Sequence, residues 1–145
     1  MTSLDHLRDT ILAMPIAATL QLRFVQLAPG HVEIEMPILP SLCFRQGQLQ
    51  ATAIFAIADF AAVAAAATLL PSGGSNATID GTVKLFAPAR GTHLRAIGRV
   101  VDQGRQLSVC AAEVYAIDGE ERTHCATLLA TARNHLPSTL GPAPA

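Results

Sequence analysis

The stretch from Leu49 to Leu70 constrains the fold more than any other part of this chain. After Thr52 it reads AIFAIADFAAVAAAATLL, which contains neither Gly nor Pro and consists mostly of good helix formers. As a helix, its 22 residues would extend about 33 Å at roughly 1.5 Å per residue. Almost every side of that helix is apolar, so it must be buried all round, either in a protein core or in lipid.

One charged residue, Asp59, lies in the middle of this stretch. An ionised Asp is almost never fully buried unless it is paired, so this carboxylate needs an explanation. Burial would also raise its pKa and make it a better base, provided that it stays ionised. A membrane span is disfavoured because a mid-helix charge is costly in lipid, alanine is weakly apolar, and neither end carries a basic cluster. We therefore expect a protein core around this helix and no membrane partner.

The composition indicates one globular domain: half of the 145 residues are hydrophobic, 14% are charged, and the net charge is −1. A nucleic-acid binder would carry a basic excess, so we expect no nucleic-acid partner. The three cysteines (Cys43, Cys110, Cys125) form neither a disulfide framework nor a zinc pattern. We interpret them as free thiols in a reducing cytoplasm. The five histidines show no metal-ligand spacing, and we expect no metal or cofactor.

The first third of the chain predicts a helix and a β-hairpin. Apolar residues recur at helical spacing over residues 3–14, with Ser3 as the N-cap, and Pro15 should end this helix. Residues 20–27 and 31–37 alternate between apolar and polar around a Pro29-Gly30 turn, which predicts two paired strands. A loop over residues 38–48 then leads into the long helix.

The second half predicts strands at residues 76–86, 92–101, 106–117 and 122–136, separated by turns rich in Gly, Pro and Asp. An 11-residue strand extends about 36 Å at roughly 3.3 Å per residue, which is close to the length of the helix. An antiparallel sheet that curls around the helix would bury it. The Pro-, Ala- and Gly-rich residues 137–145 predict a disordered tail, which leaves a single domain over residues 1–136.

The order of these elements resembles the hotdog fold, an α+β architecture with an antiparallel sheet wrapped around one long central helix. Four pieces of sequence in order (IADFAAVAAA, then TID at 78–80, FAPARG at 86–91 and GRQL at 104–107) are similar to the PaaI-type acyl-CoA thioesterases of phenylacetic acid degradation. The resemblance covers residues 20–135. It implies a homodimer or homotetramer with the active site between subunits and the CoA moiety of the substrate on the surface.

The resemblance assigns the helix carboxylate, here Asp59, as nucleophile or general base; a structural carboxylate paired with Arg or backbone amides is the alternative. Nine residues earlier, where the family usually has His-Gly-Gly, this chain has Gln50-Ala51-Thr52. The Ala51 N–H could still polarise the thioester oxygen with help from the helix dipole, although Ala narrows the room for substrate. Gln50 can form a hydrogen bond where His would, but it cannot titrate.

Thr78 matches a position where some relatives carry a Ser that holds the attacking water from the facing subunit. Its hydroxyl could bind water or Asp59, or Thr78 could simply be a strand residue. Asp80, two residues further on, is expected on the same face of the strand as Thr78. It would raise the pKa of Asp59 if the two carboxylates were close, or it could be a surface residue. Arg45 or Gln46, near the position of an Asn or Gln in many relatives, could orient the substrate carbonyl or be solvated loop residues.

The phosphates of CoA require cations near the mouth of a pocket. By resemblance these are Arg105, in the GRQL hairpin, and Arg90, after the Pro-Ala turn, with Lys84 and Arg133 as weaker candidates; each could instead be a solvated charge. The sequence therefore predicts a thioesterase that hydrolyses an acyl- or aryl-CoA. The missing His-Gly-Gly leaves open a non-catalytic acyl-CoA or acyl-chain binding protein, and a purely structural dimerising domain is the more distant alternative.

Overall fold

The computed structural model describes residues 2–138, in which three α-helices and eight strands are present. Helices α1 (Ser3–Leu12) and α2 (Pro15–Leu20) precede strands β1 (Arg23–Ala28) and β2 (His31–Pro37). A 3-10 turn (Pro40–Leu42) and a small hairpin, β3 (Cys43–Arg45) and β4 (Gln48–Leu49), lead into helix α3 (Ala51–Ala67). Strands β5 (Ser75–Leu85), β6 (His93–Gln103), β7 (Leu107–Asp118) and β8 (Glu121–His135) follow.

The N-terminal helix is capped by Thr2 rather than by the predicted Ser3. The Thr2 hydroxyl accepts a hydrogen bond from the Asp5 N–H at 3.1 Å, and the Asp5 carboxylate accepts one from the Thr2 N–H at 3.2 Å. The helix ends before Pro15 as predicted. However, Pro15 also begins α2, because a proline at the first helical position lacks an N–H that would have no intrahelical partner. Strand β1 consequently begins at Arg23 rather than at residue 20.

Six strands form one antiparallel sheet in the order β1-β2-β6-β7-β8-β5. The predicted hairpins β1–β2, β6–β7 and β7–β8 are all confirmed, and β5 pairs with β8 at the edge of the sheet. The β3–β4 hairpin, which the sequence predicts as loop, forms a separate two-stranded sheet.

Helix α3 lies against one face of the six-stranded sheet, and its alanines allow a close approach. Ala61 and Ala62 are fully buried, and a Cβ placed on Gly98 of β6 would lie 2.0 Å from the Ala61 carbonyl oxygen. Only glycine fits at that crossing. The helix has 17 residues, about 25 Å at 1.5 Å per residue, and is shorter than predicted at both ends. This arrangement confirms the predicted hotdog fold.

Among the described residues, no helix is long and apolar enough to cross a membrane. The sequence predicts a disordered tail from residue 137, and residues 139–145 of that tail lie outside the described residues. The single domain over residues 1–136 stays a prediction.

Candidate active site

Asp59 lies near the middle of α3 and is half-buried. The hydroxyl of Thr78, on β5, donates a hydrogen bond to Asp59 Oδ1 at 2.8 Å. Within residues 2–138, Asp59 forms no ion pair with Lys, Arg or His. Burial raises the pKa of the Asp59 carboxyl, and the Thr78 hydrogen bond opposes that shift because it stabilises the ionised form. The carboxylate is therefore partly desolvated but not neutralised by a structural cation.

The start of α3 presents a backbone N–H that has no partner within residues 2–138. Gln50 is the N-cap, and its side-chain oxygen accepts hydrogen bonds from the Thr52 N–H at 2.5 Å and from the Thr52 hydroxyl. The Gln50 N–H donates to the Leu42 carbonyl at 2.9 Å. Ala51, at the first helical position, is exposed, and its N–H has no acceptor among the described residues. This N–H points out at the positive end of the helix dipole, where an anion or a developing oxyanion is stabilised.

Asp59 and the Ala51 N–H of one chain are too far apart to act on the carbonyl group of the same thioester. They lie eight residues apart on α3, a rise of about 12 Å along the helix axis. A thioester carbonyl carbon and its oxygen are directly bonded, so a base at one and a donor at the other must be within a few ångströms of each other.

A β-bulge separates Thr78 from Asp80, and the expectation that the two share a face is wrong. Thr78 pairs with Ala132 of β8, whereas Asp80 pairs with the adjacent Thr131, with Ile79 as the extra residue. Neighbouring residues on β8 point to opposite faces, so their partners on β5 do as well. Asp80 therefore lies on the face away from α3 and cannot raise the pKa of Asp59 by direct contact.

Three of the predicted substrate-binding residues lie near the start of α3. Arg45 and Gln46 lie in the β3–β4 hairpin, both exposed, with the Arg45 guanidinium 4.9 Å from the centre of the Phe44 ring. Arg90 is also exposed and follows Ala89, whose carbonyl accepts a hydrogen bond from the Leu49 N–H at 3.1 Å. These residues therefore lie at the same end of α3 as the Ala51 N–H.

Arg105 lies at the opposite end of the sheet, in the turn between β6 and β7. Strand β6 has 11 residues, so about 33 Å separates its two ends and keeps Arg90 away from Arg105 within one chain. The structure instead brings Arg105 together with Arg133 and His135 around a polar cavity of about 330 Å³. The turn is held by Asn134, whose side-chain N–H donates to the Gly104 carbonyl at 3.0 Å.

A larger, mainly apolar cavity of about 820 Å³ opens beside Asp59. It lies between α1, which contributes Leu7 and Ile11, and the side of α3 that carries Phe60, Val63 and Ala67. Its wall contains no Lys or Arg among the described residues. Sequence reasoning missed this cavity: the apolar stripe of α1 indicated only a helix with a buried side, not what that side faces.

The described residues contain no group of three His, Cys, Asp or Glu placed to bind a metal.

The chain has the sheet topology and central helix of a hotdog protein, and the carboxylate that faces β5 is typical of a thioesterase-like member. Comparison with known proteins gives the family. The family model of the thioesterase superfamily matches residues 49–123. A thioesterase family protein from Silicibacter pomeroyi has 31% sequence identity and a TM-score of 0.90, over 94% of this chain and 100% of that one. This chain therefore belongs to the thioesterase superfamily.

More distant solved structures show the same fold. A thioesterase from Haemophilus influenzae has a TM-score of 0.81 at 18% identity, over 94% of this chain and 92% of that one. The PaaI protein from the phenylacetic acid degradation operon of E. coli has a TM-score of 0.79 at 16% identity, over 90% of this chain and 91% of that one. A comparison with curated protein sequences found no match.

Proposed function

We propose that this protein hydrolyses the thioester bond of an acyl-CoA, with Asp59 as the general base or nucleophile. The observation that carries the proposal is the environment of Asp59: half-buried, free of ion pairs within residues 2–138, bonded to Thr78, and beside an apolar cavity. A carboxylate with a raised pKa is more basic than one in water and remains useful as long as it is ionised. Membership of the thioesterase superfamily supports the reaction class.

The proposed chemistry needs few groups. Asp59 either removes a proton from a water molecule as that water attacks the thioester carbon, or attacks the carbon itself to form a mixed anhydride that water then hydrolyses. In both routes negative charge develops on the carbonyl oxygen, and the thiolate of CoA leaves. The Thr78 hydroxyl orients the carboxylate and favours its ionised form.

We infer that the donor for the carbonyl oxygen comes from a second copy of the chain. The Ala51 N–H is unpaired among the described residues but lies about 12 Å along the helix from Asp59 of the same chain. A twofold dimer would place the start of one α3 near the Asp59 of the other and would complete two equivalent sites.

The exposed edge of β5 supports such a dimer. All but two of its 11 residues are exposed, including Ile79 and Leu85, and one side of the strand is unpaired in the sheet. An uncovered edge with apolar residues is a template for pairing with another strand. In an antiparallel β5–β5 pair, the segment that follows β5 in one copy, and with it the start of α3, comes beside the Thr78 end of β5 in the other. We therefore propose a homodimer, with a homotetramer as its further assembly.

The CoA moiety would be held by cations outside the apolar cavity. Arg105 and Arg133 share the polar cavity at one end of the sheet, so together they can bind one phosphate group. Arg90 lies at the other end and would contact the substrate bound at the site shared with the second copy. Arg45 and Gln46, next to the start of α3, stay candidates for orienting the carbonyl.

The three cysteines are free, which supports a reducing cytoplasmic location.

One observation favours the second candidate function, an acyl-CoA or acyl-chain binding protein without hydrolytic activity. The Gln50 side-chain oxygen is already engaged with Thr52, so the amide offers only its N–H donors and cannot accept or release a proton as the family's His can. If cleavage requires a titratable side chain at this position, the site would bind substrate without cleaving it.

Thiol release from a panel of acyl-CoAs separates the two functions. We expect the wild type to release CoA thiol and Asp59→Asn to lose about 10²–10⁴-fold in kcat, the range typical of a general base, while CoA ester binding persists. Asp80→Asn is the matched control, since Asp80 lies on the opposite face of β5 and should leave the rate unchanged. A wild type that binds CoA esters but releases no thiol would leave only the binding function.

A further inference from the structure

The cavity between α1 and α3 has the properties of an acyl pocket rather than a nucleotide pocket. Its volume of about 820 Å³ is in the range of small-molecule sites, and Asp59 forms part of its wall. The α3 side is formed by Phe60, Val63 and Ala67, which recur at helical spacing on one side of the helix. No Lys or Arg of the described residues lines it, so it lacks the cations that usually bind the phosphates of CoA, and His6 is the one basic side chain among the described residues of its wall.

The polar groups that lie next to α3 in the wall are bonded within the protein. The Asn76 side chain donates to the Val63 carbonyl at 3.0 Å, and the Thr68 hydroxyl donates to the Ala65 carbonyl at 2.6 Å. A ligand that lies along the α3 side of this cavity therefore meets apolar side chains and satisfied polar groups, whereas His6 and Thr10 line the α1 side. Such a site favours an uncharged, apolar group.

Resting on the proposed thioesterase activity, we propose that this cavity holds the acyl group of the substrate, and that Val63 and Ala67 limit its length. Ala67 lies eight residues beyond Asp59, about 12 Å along the helix, and Val63 lies half as far. An extended chain advances about 1.2 Å per bond, as the backbone does with three bonds per residue at roughly 3.6 Å. A linear acyl group of about eight to ten carbons thus reaches Ala67.

Two substitutions shorten the cavity by different amounts. Ala67→Phe fills its far end and should reject decanoyl chains while it accepts hexanoyl chains. Val63→Phe blocks it closer to Asp59 and should reject hexanoyl chains as well, while acetyl-CoA is still accepted. Both side chains are half-buried, and Ala18→Phe, at an exposed position on α2 outside the cavity, is the matched control.

The test measures binding of non-hydrolysable S-alkyl-CoA thioethers with two, six and ten carbons by calorimetry, alongside thiol release from the corresponding thioesters. Each buried methylene is worth about fourfold in affinity, so excluding three or more should weaken decyl-CoA binding by Ala67→Phe at least tenfold. The two-carbon ligand should bind both cavity variants as it binds the wild type, which also shows that the variants are folded.

The outcomes distinguish this inference from the proposed activity. The acyl-pocket inference is overturned if both cavity variants treat all chain lengths alike, or if Ala18→Phe shifts the preference as strongly, whatever the rate of thiol release. If the wild type releases no thiol but the graded loss of thioether binding is observed, the hydrolytic activity is wrong and the assignment of the cavity stands.

Discussion

The Thr78 hydroxyl donates a hydrogen bond of 2.8 Å to Asp59 Oδ1, and this contact joins the edge strand β5 to the middle of helix α3. It is the one side-chain hydrogen bond of the Asp59 carboxylate within residues 2–138. Burial raises the pKa of Asp59, and the Thr78 hydrogen bond opposes that rise because it stabilises the ionised form.

The first prediction concerns the effect of the Thr78 hydroxyl on the pKa of Asp59. In Thr78→Ala the pKa of Asp59 should rise further, because burial remains and the opposing hydrogen bond is gone. The acidic limb of the pH profile of kcat/KM, below which Asp59 is protonated and inactive, should therefore shift to higher pH. Thr78→Ser retains the hydroxyl and should restore the wild-type profile. An equal loss of rate at every pH in Thr78→Ala would show that Thr78 does not act through the ionisation of Asp59.

The second prediction concerns stability. The pKa of Asp59 is raised in the folded state, so the fold binds this proton more tightly than the unfolded chain does. Ionisation of Asp59 therefore costs stability as the pH rises from the unfolded pKa through the folded pKa. Asp59→Asn should have a higher Tm than the wild type at pH 7, and the difference should shrink towards pH 4. A variant less stable than the wild type at pH 7 would contradict this.

The third prediction concerns the crossing of α3 over β6. In Gly98→Ala the new methyl group would lie 2.0 Å from the Ala61 carbonyl oxygen, so backbone must move, and we expect a loss of about 3 kcal/mol in the free energy of unfolding. Gly81→Ala is the comparison, since its nearest neighbours, Phe55 and Leu128, are side chains at 3.3–3.4 Å that can adjust. Urea unfolding of both variants measures the difference; similar losses would mean that α3 is not held close at Gly98.

The fourth prediction concerns the recognition of CoA phosphates. Arg105→Gln should raise KM for acyl-CoA about tenfold at low salt, because a charge-assisted hydrogen bond to phosphate is lost, and should flatten the salt dependence of KM. The kcat should be unchanged, since Arg105 does not line the cavity that contains Asp59. Arg99→Gln, which removes a charge from an exposed position on β6 outside the polar cavity, is the matched control. An equal rise of KM in both variants would point to a general charge effect.

Features encoded in local sequence could be predicted well. The long alanine-rich run predicted α3, and the Asp- and Gly-containing turns predicted the β6–β7 and β7–β8 hairpins. Their order along the chain resembles the hotdog fold, and the structure confirms that fold. Asp59 stood out because a charge in an all-apolar helix is unexpected, and that inference needs no tertiary information.

Features set by long-range pairing could not be predicted. The bulge at Ile79 depends on how β5 registers against β8, and it moved Asp80 to the face away from Asp59. The cavity between α1 and α3 depends on how two distant helices pack. Pro15 was interpreted as the end of a helix, but it is equally suited to begin one.

The central claim is that Asp59 and the Ala51 N–H act on one thioester from two different copies. Ala51→Pro removes this N–H with little cost to the fold, since proline is favourable at the first position of a helix. The backbone of Gln50, at φ −72° and ψ 145°, already suits a residue before proline. Asp59→Asn and Ala51→Pro should each be inactive alone.

Mixing the two inactive variants under conditions that allow subunit exchange tests the claim directly. In a mixed dimer one site carries both lesions, and the other combines an intact Asp59 with an intact Ala51 N–H. With half of the dimers mixed and one of two sites intact in each, thiol release should recover to about a quarter of the wild-type rate. A mixture that stays as inactive as its components would contradict a site shared between copies.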